Sequence, residues 1–244
     1  MKLFGLIGYP LGHSFSKSYF TRKFEDLGLE DHRYDLFEIE KIEDFPGIWD
    51  RHPELLGMNV TVPYKLEVKK YLDELDESAS KVGAVNVIRK KGDRLIGYNS
   101  DYFGFKQSLR NFLRDKKVEK SLILGTGGAS KAVKAVLEDL RIVSLFVSRN
   151  KGQGVVTYEE LKGLNIEDYP LIVNTTPLGM HPNITSAPDL PYDSIASSHF
   201  LFDLVYNPET TKFMELGMNR GASVINGLEM LHLQADKSWE IWNK

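Results

Sequence analysis

Lys65 closes the stretch "NVTVPYK", Asn59 to Lys65, and a lysine amine is one of the few side-chain groups able to carry a proton to or from an alcohol oxygen. Val60 and Val62 alternate with Asn59 and Thr61, the period of a half-buried strand. Pro63 cannot donate to a ladder and ends it, so the lysine arrives just past a strand end. Asp101 closes "LIGYNSD", a second strand-like segment, from which it could reach the same cleft. A lysine moves protons near neutral pH only when a dry pocket or a cationic neighbour weakens its hold on the proton, and an adjacent carboxylate acts the other way. Such a pair works as a coupled unit. Taken alone, Lys65 reads as a surface lysine opening the helix "KLEVKKYL" and Asp101 as the N-cap of the helix after it, and spacing does not overturn that reading.

A second constellation is the turn "GTGGAS". Gly125, Gly127 and Gly128 lie between the strand "SLIL" and a helix beginning near Ala129, with Ser130 where the strict G-x-G-x-x-G pattern would have its last small residue. Glycines there allow a tight turn and the close approach of a ligand, and the helix N-terminus offers free N–H groups to a pyrophosphate. Glycine triplets alone say little; the flanking strand and helix give the motif its meaning. The next strand ends in "SRNK", Ser148 to Lys151, with no carboxylate for a ribose hydroxyl. Arg149 offers a planar fork for a 2′-phosphate, with Ser148 and Asn150 as further donors, so NADP is the expected cofactor.

These residues need a frame. "KLFGLIGYP" reads as a buried strand and turn, Tyr19, Phe20, Phe24 and Leu27 have helical spacing, and "RYDLFEIE" alternates as a strand. Asp44 to Trp49 and "KLEVKKYLDELDESASKVG" read as helical, "AVNVIRKKGDRLIGYN" as a hairpin, and "SDYFGFKQSLRNFL" as a helix. From residue 120 the pattern becomes a βαβ unit followed by the strands "YPLIVNTTP" and "HFLFDLVYNP", a helix at 209–219 and the short strand "SVIN". The expected class is α/β, with a mixed first half up to Asp101 and a parallel-sheet half after it.

Composition narrows the partners. The 244 residues with 42% hydrophobic content supply an ordinary core, and the net charge of −3 argues against nucleic acid or an anionic membrane as a partner. The absence of cysteine excludes disulfides and thiolate metal sites and fits a reducing cytoplasm. The apolar run at the N-terminus is too short for a signal or a membrane span. His52, His181, His199 and His232 show no metal-ligand spacing, so no metal is expected.

The ordered series "GHSFSKS", "NVTVPYK", "GAVNV", "GYNSD", "LGTGGAS", "SRN", "NTTPLGM", "DLVYNP" and "GLEMLHLQA", spread over nearly the whole chain, resembles the shikimate dehydrogenase family. The resemblance implies an N-terminal mixed-sheet substrate domain at 1–101, with the C-terminal helix 228–244 packing back on it, and a Rossmann-like parallel-sheet NADP-binding domain at 102–227; it implies reduction of 3-dehydroshikimate to shikimate with NADPH, on the route to aromatic amino acids. It implies that Ser14 and Ser16 bind the substrate carboxylate, that Thr61 and Asn86 contact the substrate, and that Lys65 and Asp101 are the proton-transfer pair. Tyr206 and Gln234 would close the substrate pocket. Gly125, Thr126, Gly127, Gly128, Ala129, Ser130, Ser148, Arg149, Asn150, Thr175, Leu204 and Gly227 would hold the cofactor. His13 is then a hydrogen-bonding residue of its turn.

The chain departs from the family's "GAVNT" and "NTDG" at Val87, Ser100 and Tyr102, and the stretch "NKGQGVVTYEELKGLNIEDYP" after Arg149 leaves room only for a short helix. A cytoplasmic monomer or homodimer acting on a small molecule is the expectation. The alternatives are a quinate/shikimate dehydrogenase that uses NAD, and a non-catalytic dinucleotide-binding relative.

Overall fold

The opening run forms β1 (Lys2–Gly8) in a computed structural model that describes residues 1–12 and 14–244; the reading of His13 lies outside the described residues. Leu3 and Ile7 of this strand enter one buried cluster, and Phe4 and Leu6 enter another on the opposite face. Burial on both faces is why the strand is apolar throughout rather than alternating. Around it lie β2 (His32–Glu38), β3 (Leu55–Val60), β4 (Glu74–Leu75), β5 (Val87–Lys91) and β6 (Arg94–Tyr98), in the order β2-β1-β3-β5-β6-β4. β1 is parallel to β2 and β3, while β5 runs antiparallel to β3 and β6, so the sheet is mixed. The helices of this half are α1 (Phe15–Asp26), α2 (Phe45–Arg51) and α3 (Glu77–Val82).

Two local expectations are corrected. The alternation through Val62 stops at Val60, and Val62 is exposed. The segment expected to be helical from Lys65 to Gly83 is instead a 3-10 turn at Glu67–Tyr71, the two-residue β4, and α3 capped by Asp76. β4 pairs with β6, and Leu72 and Leu75 pack into the core; this long-range pairing outweighs the local helical period.

α4 (Ser100–Leu113) follows, and then a wholly parallel second sheet. Its strands are β7 (Lys120–Leu124), β8 (Val143–Ser148), β9 (Val155–Thr157), β10 (Leu171–Asn174), β11 (Phe200–Asp203) and β12 (Ser223–Ile225), in the order β12-β11-β10-β7-β8-β9. The helices with it are α5 (Gly128–Asp139), α6 (Tyr158–Leu161) and α7 (Lys212–Met218), and α8 (Leu228–Trp242) ends the chain. From β7 the chain steps to β8 on one side and returns to β10 on the other. The strand order therefore reverses between β7 and β10, which opens a crevice at their C-terminal ends. β9 was not anticipated: six residues after β8 the chain lies parallel to it, then turns into the single-turn α6 under a Thr157–Glu160 capping box.

Contacts divide the chain into Met1–Phe103 with Gln234–Lys244, and Gly104–Leu233. The division falls within α4, after Phe103, and within α8, before Gln234. Its first turns count with the second, where Glu229 accepts hydrogen bonds from Ser108 and Asn111 at 2.7 Å each. Among the described residues no helix is long and apolar enough to cross a membrane.

The end of α8 is seated on the first sheet by Trp242, whose Nε1 donates to the Ile88 carbonyl at 3.0 Å and whose ring stacks on Phe4 at 4.8 Å. Gly57 makes room for it: a Cβ there would lie 2.2 Å from Trp242 Cδ1. Gly57→Ala is expected to cost about 1–3 kcal/mol through overpacking. The check is a lowered Tm together with a change in tryptophan emission.

Candidate active site

In the first unit the polar groups gather where β3 and β6 end and β5 begins. Asn86, just before β5, is hydrogen-bonded through its backbone on both sides: its carbonyl accepts from Val60 N at 2.9 Å, and its N–H donates to the Tyr98 carbonyl at 3.1 Å. The ends of β3 and β6 therefore meet beside it. Lys65 follows β3 and is tied to the same point, its carbonyl accepting from Val85 N at 2.8 Å. Asp101 lies in the first turn of α4, directly after β6. The Lys65 Nζ donates to Asp101 Oδ2 at 2.6 Å, with side chains 21% and 15% exposed. An ion pair this shielded is held firmly, because removing either partner strands a charge in a partly dry site.

The helix carrying Asp101 is fixed by its neighbours. Asn86 Oδ1 accepts from Ser100 N at 2.6 Å and acts as a surrogate cap for α4, while Asn86 Nδ2 donates to Ser100 Oγ at 3.1 Å. Ser100 Oγ donates in turn to Gln234 Oε1 at 3.2 Å, and Ser238 Oγ stands at 3.2 Å. Ser14 caps α1 by accepting from Lys17 N, and Ser16 lies in the first turn of that helix. Thr61 follows β3, its N–H bonded to the Ile7 carbonyl, so the segments after β1 and β3 run together.

In the second unit the turn after β7 sits at the crevice. Gly125 has φ +102, and a Cβ there would lie 2.9 Å from both Thr175 Oγ1 and Thr176 Cγ2. Gly127 caps α5 without a side-chain hydrogen bond, which leaves the first N–H groups of the helix free for an anion. A cavity of about 310 Å³ opens here, walled by Gly125, Gly127, Ser148, Arg149, Tyr158 and Thr175. A second of similar size, about 310 Å³, lies along Ala129, Thr175, Pro177, Leu204 and Tyr206. Thr175, Thr176 and Pro177 wall both cavities, which lie at the C-terminal ends of β7, β10 and β11. Bare turn, open helix end, and an arginine at the end of the neighbouring strand fit a phosphorylated dinucleotide.

The sequence model described as the shikimate dehydrogenase substrate binding domain matches residues 6–88. A shikimate dehydrogenase (NADP(+)) of Methanococcus maripaludis is 38% identical over 99% of this chain and 91% of its own length. The chain belongs to the shikimate dehydrogenase family. Among solved structures, a chorismate mutase/shikimate 5-dehydrogenase fusion protein from Clostridium acetobutylicum superposes with a TM-score of 0.89 at 36% identity, covering 99% of this chain and 90% of that one. The Thermus thermophilus shikimate 5-dehydrogenase in complex with NADP(H) and shikimate superposes at 0.85 with 29% identity, covering 99% and 93%.

Measured against the residues the shikimate dehydrogenase family suggests, the first unit brings Lys65, Asp101, Asn86 and Gln234 into one hydrogen-bonded neighbourhood, with Ser14, Ser16 and Thr61 just after β1 and β3. Tyr206 belongs to the second unit, on the wall of the Leu204 cavity. Thr126 joins the turn in lining the first cavity. Gly128 opens α5, Ser130 spends its hydroxyl on the Gly127 carbonyl at 2.7 Å, and Asn150 is exposed. Gly227 packs closely on Leu204: a Cβ there would lie 2.2 Å from the Leu204 carbonyl oxygen.

Sequence reading missed Tyr158, which enters the cavity only because β9 turns back beside β8. Burial pushes its hydroxyl up to about 12, with the Arg149 charge pulling the other way. Asp203 was also missed, although a polar residue closing the apolar run "FLFD" was a signal. It is fully buried, and burial raises its carboxyl to about 6 against the pull of hydrogen bonds from Thr211, Val205 and Asn174. A raised value means the folded state favours the protonated form. That contribution is complete below the ordinary carboxylate range and is lost as pH rises through about 6. Asp203→Asn cannot ionise, so its stability relative to wild type is expected to climb between about pH 4 and 7, by up to roughly 3 kcal/mol. Urea melts across that range check this; parallel pH profiles would contradict it.

Proposed function

We propose that the chain catalyses the NADP-dependent, reversible reduction of 3-dehydroshikimate to shikimate. The observation that carries the reading is the Lys65–Asp101 pair at 2.6 Å on the sheet edge of a chain in this family. The reaction consumes NADPH, a proton and the ketone and yields NADP+ and the alcohol. When bound, the nicotinamide supplies the hydride. Lys65 Nζ donates the proton to the substrate oxygen and takes it back in the reverse direction, and Asp101 Oδ2 orients the amine and holds it at one position. Asn86 and Gln234 fix the helix that carries Asp101 and lie beside the substrate hydroxyls. Ser14, Ser16 and Thr61 donate to the substrate's carboxylate and hydroxyls, which lets a weakly acidic protein hold an anion by directed hydrogen bonds. The turn Gly125–Gly127 takes the pyrophosphate, Arg149 with Ser148 the 2′-phosphate, and Thr175, Leu204 and Tyr206 line the nicotinamide end.

The deciding assay follows reduced cofactor formation with shikimate, with quinate and with no substrate, each with NADP+ and with NAD+. Turnover confined to shikimate with NADP+ supports the reading. Comparable kcat/KM with quinate and NAD+ would replace it with the broader dehydrogenase, and binding of NADP+ without turnover of either acid would leave only a dinucleotide-binding protein.

A further inference from the structure

We propose that Asp203 is a positioning residue that shapes the dinucleotide groove by fixing the polarity of the Asn174 side-chain amide; the inference rests on reading that groove as the cofactor site. Asp203 and Asn174 are the last residues of adjacent strands, β11 and β10, and both are fully buried. Asp203 Oδ1 accepts from Asn174 Nδ2 at 2.9 Å and from Val205 N at 3.0 Å, and Oδ2 accepts from Thr211 Oγ1 at 2.6 Å. All three partners are neutral donors, so among the described residues the carboxylate is buried without an ion pair to repay its desolvation.

The arrangement gains direction from it. A side-chain amide has two ends of nearly equal size and opposite hydrogen-bonding character. A carboxylate accepts only, so it admits the Nδ2 end of Asn174 and turns Oδ1 the other way. There Oδ1 accepts from Thr176 N at 3.0 Å and Thr176 Oγ1 at 2.6 Å, and Thr176 Oγ1 accepts from Leu178 N at 3.3 Å. The loop after β10, which both cavities share, is thereby held in one shape. Through Val205 N and Thr211, the N-cap of α7, the same carboxylate holds the loop after β11. With an apolar residue at 203 the Asn174 amide is free to turn over and present its own donors to the Thr176 N–H, an unfavourable donor–donor contact that the loop relieves by moving.

The test measures direct binding of NADPH and of shikimate to wild type, Asp203→Ala, Asp203→Asn and Thr176→Val, with far-UV circular dichroism and Tm as folding controls. Asp203→Ala is expected to weaken NADPH at least about tenfold with the shikimate Kd within about twofold of wild type. Asp203→Asn retains an acceptor for Asn174 and Val205 and is expected to restore NADPH binding to within about threefold. Thr176→Val removes the far end of the chain of bonds without touching the buried carboxylate. It is expected to weaken NADPH selectively, and it decides the matter if Asp203→Ala does not fold. Unchanged NADPH binding in the folded variants, equal weakening of both ligands, or no recovery with Asn would each overturn the inference. Wild type that binds shikimate but not NADPH would instead sink the reading of the groove, and the inference with it.

Discussion

Lys65→Ala is expected to lower kcat at least about 100-fold, the usual loss when a general acid or base is removed, while the Kd for NADPH stays within about twofold. The separation follows from the chain's division: Lys65 lies in the first unit, and the groove fitted to the dinucleotide lies in the second. Lys65→Arg sharpens the test. A guanidinium keeps the positive charge and can bond Asp101, but it does not release its proton at working pH, so it is expected to restore stability and not turnover. Single-turnover rates with saturating NADPH and 3-dehydroshikimate measure the chemical step directly. Turnover within a fewfold of wild type in either variant would remove Lys65 from proton transfer and leave Asp101 with a structural ion pair.

Arg149→Ala is expected to raise the KM for NADPH by roughly 10- to 100-fold, the range set by losing hydrogen bonds to a charged group, and to leave the KM for NADH nearly unchanged. The asymmetry comes from the position of Arg149, one residue past β8, on the cavity wall with Ser148 and Tyr158. Only a cofactor with a phosphate on the adenosine ribose gives that guanidinium an anion to hold. A variant that loses NADPH and NADH equally would place Arg149 in a general structural role. One that loses neither would move cofactor selection to another part of the groove.

The glycine turn was legible in sequence because its meaning is local. An apolar strand, three glycines and an amphipathic helix are contiguous in the chain, and the positive φ at Gly125 is a property of that residue's own backbone. The two α/β halves were legible for a similar reason: strands buried on both faces must be apolar throughout, and "SLIL", "LIV" and "FLF" show it directly. Local pattern misled where a distant partner competed. The stretch from Lys65 to Gly83 has a helical period, yet pairing of Glu74 and Leu75 with β6 breaks it into a turn, a strand and a short helix. The segment after Arg149 held β9 in three residues, too few for any period to register.

What the sequence determined by itself is therefore the class of the fold, the βαβ unit with its bare turn, and, through an ordered series of motifs, the family. The residues alone read Lys65 as a helix-surface lysine, and only the resemblance placed it in a catalytic pair. Tertiary structure decided the rest. Lys65 and Asp101 stand 2.6 Å apart because β3 and β6 end at the same sheet edge on either side of Asn86. Asp203 reaches Asn174 because β10 and β11 are neighbours in register. Contacts between residues far apart in the chain depend on strand order, which no local pattern encodes, and it is strand order that turned scattered polar residues into sites.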